Sequence, residues 1–210
     1  MSWKPDYFRL FLSHVATQKG VAHELKQDLE CFNISCFVAH EDIEPTREWQ
    51  DEIEESLRTM DALAALLSPD FHKSNWTDQE VGFAVGTGRL IIPLRFGLDP
   101  YGFIAKYQGF PLAQVPNFFA VAKDIAKILA RHGRTSVPFA RAIVKELEGA
   151  GSYRTSKECM SHLEECPVLD EELLQRIEAS IQNNKEVRNA VSVPERIQSL
   201  TQRHRHVGSA

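Results

Sequence analysis

The sequence predicts an α/β protein, in which a doubly wound parallel sheet of four to five strands is followed by a small helical C-terminal region. Four short runs in the first half have the length of strands and are apolar almost throughout, as strands buried on both faces are. Segments with helical spacing separate these runs, and strands that alternate with helices imply right-handed crossovers within one sheet. From Ser136 onward the patterns are helical.

The first half contains the strand-like runs and the helical patterns between them. The predicted strands are Phe8 to Ser13, Ser35 to Ala39, Ala62 to Leu67 and Leu90 to Leu94. Apolar residues at helical spacing mark the intervening helices, namely Leu25 and Leu29, then Trp49, Ile53 and Leu57, then Trp76 and Phe83. The stretch from Arg95 to Pro116 is rich in Gly and Pro, which predicts a long loop with a short fifth edge strand near Phe110.

The residue patterns in the second half of the sequence are those of helices. One helix with an apolar face ends near Gly133, and glycine is favoured just past a helix C-terminus. We therefore predict an α/β domain over residues 1–133 and a helical C-terminal extension over residues 134–210. Helices of the extension are predicted around Ile143 and Leu147, at Leu169 to Ile181, and at Val193 to Leu200. Because this region is polar, we expect it to pack against the α/β domain or to pair with another chain.

Charge and hydropathy exclude several classes of function. Lys and Arg number 24 against 29 Asp and Glu, and this acidic balance argues against nucleic acid as a partner. No apolar run approaches the ~20 residues needed to cross a bilayer. The N-terminus lacks the apolar core of a signal peptide, so we expect a cytoplasmic protein without a membrane partner. The acidic run from Glu48 to Glu55 is interpreted as the solvated face of an amphipathic helix.

The four cysteines give no pattern typical of a metal site. Cys31, Cys36, Cys159 and Cys166 form no C-x-x-C pair and have no nearby histidine pattern. We therefore predict no metal and interpret these residues as free buried thiols in a reducing compartment.

Polar residues that follow the strands are candidates for a ligand site, because open α/β sheets bind ligands beyond the C-terminal ends of their strands. They are Ser13 and His14, His40 to Asp42, Ser68 to Asp70, and Arg95 to Gly97. We expect Ser13 and His14 to line the site, whereas Arg95 fits a phosphate contact and a surface ion pair equally well. Neither a Gly-x-Gly-x-x-Gly pattern nor a phosphate-binding P-loop occurs, so a Rossmann dinucleotide site is unsupported.

Trp76 and Glu80 form the most informative local pattern. Residues four apart share a helix face, so this pair would present an indole beside a carboxylate, which suits a flat cationic ligand. The alternative is that Thr77 and Glu80 form a capping box, in which the glutamate only satisfies backbone donors at the helix start. Spacing alone leaves both interpretations open.

Three motifs in fixed order resemble the Toll/interleukin-1 receptor (TIR) domain family. The segment Phe11 to His14 resembles the family's opening strand, and Asp42 to Trp49 resembles its BB loop between the second strand and the second helix. Leu67 to Pro69, followed by Ser74 to Glu80, is similar to the third strand and the start of the next helix. The resemblance spans about Phe8 to Arg131 and implies a flavodoxin-like sheet.

The resemblance also implies an activity, because the family's bacterial enzymes cleave NAD between nicotinamide and ribose with a glutamate on that helix. Glu80 matches the catalytic glutamate and Trp76 matches an aromatic four residues before it. Trp49 matches an active-site aromatic of the animal axon-degeneration enzyme of this family. The predicted substrate-binding set is completed by Ser13, His14 and Asp42. For Asp42 a role in loop structure is the alternative. NAD would be the substrate, and no cofactor is predicted.

The implied partners are NAD, further copies of the chain through TIR–TIR contacts, and a downstream effector protein that senses the nucleotide product in antiphage defence. Hydrolysis of NAD and formation of a cyclic or conjugated ADP-ribose both remain open. Two other classes also remain open: a non-catalytic TIR adaptor that acts by self-association, and a nucleotide-sensing or nucleoside-processing α/β domain.

Overall fold

The computed structural model describes residues 3–38 and 49–207 of the chain. These residues divide into two compact units, Met1–Ile125 and Ala126–Ala210. The division falls within a helix, whereas the sequence places the domain boundary after Gly133. The functional boundary between residues 1–133 and 134–210 stays a prediction.

The first unit is built on a five-stranded sheet. Its strands are β1 (Phe8–Ser13), β2 (Ile34–Phe37), β3 (Ala62–Leu67), β4 (Leu90–Arg95) and β5 (Phe110–Pro111). They are all parallel and lie in the order β2-β1-β3-β4-β5. This is the flavodoxin-like doubly wound order. The predicted α/β fold class and the short fifth strand near Phe110 are confirmed.

Helices connect the first four strands of this sheet, and one more helix follows its last strand. They are α1 (Lys19–Glu30), α2 (Trp49–Thr59), α3 (Thr77–Gly86) and α4 (Phe118–Arg131), with short 3-10 helices at Ala16–Gln18, Phe71–Lys73 and Gly102–Ile104. All six residues of β3 are buried, as expected of a central strand covered by helices on both faces. The acidic face of α2 departs from the sequence prediction, because Glu52 is only 5% exposed rather than solvated.

Strand register brings the carboxyl ends of the strands to one edge of the sheet. Ser13, the last residue of β1, is paired with Ala65 of β3, and Leu67 at the end of β3 is paired with Arg95. A large apolar cluster that includes Phe11, Phe37, Leu63 and Phe71 packs on this part of the sheet. The edge is therefore held by rigid, buried structure.

The second unit is helical. It contains the C-terminal part of α4 and α5 (Ser136–Glu148), α6 (Tyr153–Leu163), α7 (Glu171–Asn183), α8 (Lys185–Arg188) and α9 (Val193–Val207). The sequence did not predict α6 or α8. The second unit has its own apolar core, formed by buried residues that include Phe139, Ile143, Leu147, Met160, Leu163, Ile177, Val187 and Ile197. The expectation that this polar region packs against the α/β domain or pairs with another chain stays a prediction.

Three observations bear on the predicted absence of membrane, metal and disulfide features. Within residues 3–38 and 49–207, no helix combines the length and apolar character needed to cross a membrane. The same residues contain no group of three or more His, Cys, Asp or Glu side chains placed to hold a metal ion. The four cysteines are free, but Cys31 is exposed, which corrects the prediction that all four thiols are buried.

Candidate active site at the carboxyl edge of the sheet

Ser13 and Glu80 meet at the carboxyl edge of the sheet. Glu80 lies in the first turn of α3, and its side chain is turned inward so that the residue is only 5% exposed. The Ser13 hydroxyl, at the end of β1, donates a hydrogen bond of 2.5 Å to Glu80 Oε2. Ser13 itself is 1% exposed. A strand end and a helix start therefore build a buried carboxylate with one fixed oxygen.

Burial sets the protonation behaviour of this carboxylate. Removal from water disfavours the charged form and raises the pKa of Glu80 to about 7. The hydrogen bond from Ser13 acts in the opposite direction, because it stabilises the carboxylate and lowers the pKa. Glu80 therefore titrates near neutral pH, as groups used in acid–base or electrostatic catalysis often do.

The capping-box interpretation of Glu80 is wrong. The backbone N–H of Glu80 donates to the Trp76 carbonyl at 2.9 Å, so Trp76, and not Thr77, occupies the N-cap position. The Thr77 hydroxyl donates to the Phe71 carbonyl at 2.5 Å instead of accepting from Glu80. With the Glu80 carboxylate bound by Ser13, neither half of a capping box is formed.

Trp76 lies immediately before α3, four residues from Glu80, as the pattern predicts. The residue is half-buried, and its backbone N–H donates to the Ser74 hydroxyl at 3.2 Å. The backbone of Trp76 is thus fixed by the Ser74 contact and by its own carbonyl, which accepts from Glu80. This arrangement fixes the backbone of Trp76 at the start of the helix that carries Glu80.

His14 is buried beside Ser13. Its Nδ1 lies 3.2 Å from the Leu12 carbonyl oxygen, so the imidazole is held against the strand that carries it. Its role as a substrate-binding residue stays a prediction.

The remaining predicted site residues fall on the connection between β2 and α2. Asp42, and with it most of the proposed BB loop, lies outside the described residues, as does His40. Trp49 is the first residue of α2, but its side chain is not among those described. The structure therefore gives no geometry for these residues, and their roles stay predictions.

Arg95 makes an ion pair rather than a free cationic site. Its Nη1 lies 3.0 Å from Asp99 Oδ1. Gly109 is needed beside it, because a Cβ at that position would lie 2.5 Å from Arg95 Cγ. Of the two interpretations of Arg95, the structure shows the surface ion pair.

Of two further features, sequence reasoning placed Ser68 at a strand end but missed the cavity beside α3. Ser68, just past β3, is buried, and its hydroxyl has no hydrogen-bond partner within the described residues. A cavity of about 220 Å³ opens beside α3, lined by residues that include Phe71, Asp78, Val81, Tyr101 and Ile104. The position of Ser68 at a strand end was the available signal for the first feature, whereas no local pattern announces the cavity.

The fold and the buried carboxylate define a class of protein: a doubly wound α/β domain with a candidate ligand site at the carboxyl edge of its sheet. A model of the TIR domain matches residues 10–129, more than half of the chain. The chain belongs to the TIR domain family, and the family resemblance noted in the sequence is confirmed at that level. The NAD-cleaving subtype is a proposal, developed below.

One solved structure illustrates the similarity. The chain is similar to the TIR domain of the Toll-related receptor TRR-2 from Hydra magnipapillata, at 19% sequence identity and a TM-score of 0.44. The match covers 58% of this chain and 90% of the receptor domain. No curated protein matches the chain.

Proposed function

We propose that this protein is a TIR-domain NAD glycohydrolase, with Glu80 as its catalytic carboxylate. The observation that carries the proposal is the buried Glu80 carboxylate, held by the Ser13 hydroxyl at the ligand-binding edge of the sheet. A carboxylate is costly to bury, and a helix-capping role no longer explains it. Catalysis is a function that repays this cost.

One carboxylate is sufficient for this chemistry. The bond between the ribose C1 atom and the nicotinamide nitrogen breaks with both electrons going to nicotinamide, which leaves as a neutral molecule and needs no general acid. Positive charge develops on the ribose, as in the oxocarbenium-like transition state of glycoside hydrolysis. The Glu80 carboxylate, in a site of low dielectric constant, would stabilise this charge and accept hydrogen bonds from ribose hydroxyls.

The fate of the ribose cation decides the product. Water adds its oxygen to C1 and releases a proton to give ADP-ribose, whereas attack by the adenine base of the same molecule gives a cyclic product and attack by another nucleophile gives a conjugate. Each route shares the same bond-breaking step. The proposal covers all of them and assigns Glu80 to that shared step.

Trp76 is the proposed binding platform. A flat, positively charged nicotinamide ring is attracted to the face of an indole, and Trp76 lies one turn before Glu80 at the same end of α3. His14, Trp49 and Asp42 complete the proposed substrate-binding set, while Ser13 lies against the Glu80 carboxylate. NAD is the substrate in this scheme, and we propose no cofactor.

We further propose that the protein works as an assembly in the cytoplasm. Family members generally associate through TIR–TIR contacts, and the segment Asp42 to Trp49 is the proposed contact. A downstream effector protein would sense the nucleotide product in an antiphage response. Family membership supports the self-association, and the effector protein is part of the proposal.

The decisive experiment incubates the full chain with NAD and measures nicotinamide by chromatography. We expect nicotinamide release, and a loss of about 10²-fold or more in Glu80→Gln, as when one preorganised electrostatic group is removed. Glu24→Gln is the matched control, because Glu24 is an exposed glutamate in another helix, α1, and its substitution should leave the rate unchanged.

Each alternative function predicts a different result. An adaptor leaves NAD intact at every protein concentration, and a nucleoside-processing enzyme cleaves another substrate in preference to NAD. Equal rates for Glu80→Gln and the wild-type protein would remove Glu80 from the mechanism.

A further inference from the structure

We infer that Ser13 is a positioning residue for Glu80 rather than a substrate-binding residue, and that its hydroxyl fixes which carboxylate oxygen meets the substrate. The inference rests on the proposed function and deepens it. It assigns separate tasks to the two oxygens of Glu80: Oε2 is held by the protein and Oε1 is left for the ribose.

The Ser13 side chain is almost inaccessible to a ligand. Ser13 is 1% exposed, and a side chain so deeply buried offers almost no surface to a ligand. Its hydroxyl has one proton, and that proton is donated to Glu80 Oε2 at 2.5 Å. Ser13 therefore reaches the substrate only through Glu80.

The Ser13 hydroxyl lies on a fixed part of the sheet. Ser13 is paired in register with Ala65 of β3, and β3 is buried along its whole length. Strand β1 lies between β2 and β3, so its end cannot shift without disturbing the centre of the sheet. The hydroxyl is thus a fixed donor on the rigid part of the fold, and Glu80 is anchored to it from a helix.

The hydrogen bond from Ser13 restricts the rotation of the Glu80 side chain. A glutamate has three rotatable bonds, and a catalytic carboxylate must be held within roughly 0.5 Å of its productive position. A hydrogen bond to a charged group is among the stronger ones, and 2.5 Å is at the short end of the O–H···O⁻ range. The Ser13 bond also favours the ionised form of Glu80, since it opposes the effect of burial on the pKa.

The test compares Ser13→Ala with Ser35→Ala, full-length in both cases. Ser35 is a matched control, because it is also a buried strand serine, in β2, and its hydroxyl contacts the Lys4 backbone N–H rather than Glu80. We expect Ser13→Ala to lower kcat by about 10- to 100-fold, as for the loss of a hydrogen bond to a charged group, with KM nearly unchanged. Ser35→Ala should keep both parameters.

A double variant identifies the path of the effect. If Ser13 acts through Glu80, adding Ser13→Ala to Glu80→Gln should cause no further loss of activity. A raised KM with an unchanged kcat for Ser13→Ala would assign the serine to substrate binding and overturn the inference. An additive loss in the double variant would overturn it as well.

A spectroscopic measurement separates failure of this inference from failure of the proposed function. Infrared difference spectra of wild type, Ser13→Ala and Glu80→Gln isolate the carboxyl band of Glu80 and need no substrate. We expect Ser13→Ala to shift this band and to increase the fraction of Glu80 that is protonated at pH 7. Both changes should occur whether or not the protein cleaves NAD. An unchanged Glu80 band in Ser13→Ala would overturn the inference, while intact NAD in the wild-type assay would overturn the proposed function alone.

Discussion

The Ser13 hydroxyl donates a 2.5 Å hydrogen bond to Glu80 Oε2, although the two residues are 67 positions apart in the chain. One ends the strand β1 and the other begins the helix α3, and the contact buries a carboxylate at the edge of a parallel sheet.

Glu80→Gln should stabilise the protein at alkaline pH. Burial raises the pKa of Glu80 from 4.5 to about 7, so the folded state binds this proton more tightly than the unfolded state does. The stabilising effect of that proton is complete below pH 4.5 and is lost as the pH rises through 7. Relative to wild type, we expect Glu80→Gln to gain up to about 3 kcal/mol of unfolding free energy between pH 5 and pH 8.

Urea unfolding of both proteins at pH 5 and pH 8 measures this difference, with Glu24→Gln in α1 as the exposed-carboxylate control. A constant gap between wild type and Glu80→Gln at the two pH values would show that Glu80 does not titrate in the folded protein in this range.

The rate of NAD cleavage should increase with pH through neutrality. The proposed mechanism needs Glu80 as a carboxylate. With a pKa of about 7, Glu80 is mostly protonated at pH 6. We expect kcat/KM to rise between pH 6 and pH 8 with an inflection near 7, because this parameter reports the ionisations of the free enzyme. Nicotinamide release under substrate-limiting conditions supplies the profile, and a flat profile would contradict the assignment.

Trp76→Ala should weaken substrate binding more than it slows bond breaking. Loss of the indole removes the proposed platform for the nicotinamide ring but leaves the Ser13–Glu80 contact in place. We expect KM to rise by about 5- to 30-fold, which corresponds to a cation–π contribution of roughly 1–2 kcal/mol. Trp76→Phe should recover part of this loss, and circular dichroism of both variants checks that folding is intact.

Activity should depend on protein concentration if the segment Asp42 to Trp49 completes the site of a neighbouring subunit. Glu80 itself is buried, but water must also be kept from a substrate bound beside it, and a second subunit can close the site in this way. We expect specific activity to rise with concentration and with crowding, and substitution of Pro45 or Trp49 to reduce that rise. Equal specific activity across a hundredfold dilution, with a monomer seen by light scattering throughout, would contradict assembly and leave the role of Glu80 untouched.

Asp170 should stabilise the helical unit as the N-cap of α7. Its carboxylate accepts from the Leu173 backbone N–H at 2.9 Å, and this bond satisfies one of the unpaired donors of the first turn. We expect Asp170→Ala to lower the free energy of unfolding by about 1 kcal/mol, while Asp170→Asn retains most of it because asparagine caps equally well. Thermal unfolding followed by circular dichroism provides the measurement, and equal losses in both variants would assign the effect to the Arg141 ion pair instead.

The sequence alone determined the sheet. The residues of β1 and β3 were predicted with their observed limits, Phe8–Ser13 and Ala62–Leu67. Strands buried on both faces must be apolar along their length, so this burial is written into consecutive residues. The family motifs were legible for the same reason, because each occupies a short stretch of chain between Phe11 and Glu80.

Local patterns failed where the tertiary structure supplies the apolar surroundings. The helix α6 buries Cys159, Met160 and Leu163 within a polar segment, and too few apolar residues recur there to mark a helix. Glu52 belongs to a run of acidic residues that is typical of a solvated face, yet it is buried in the folded domain. For α6 these surroundings come from α5, α8 and α9.

The candidate site shows the same division. The sequence named Ser13 and Glu80 as separate candidates, and the spacing of Thr77 and Glu80 fitted a capping box as well as a catalytic helix. Only the tertiary structure excluded the capping box, because packing of α3 against the end of β1 directs the carboxylate to the serine hydroxyl. The burial that raises the pKa of Glu80 is a property of that packing, since desolvation depends on what surrounds a side chain in space and not on its neighbours in sequence.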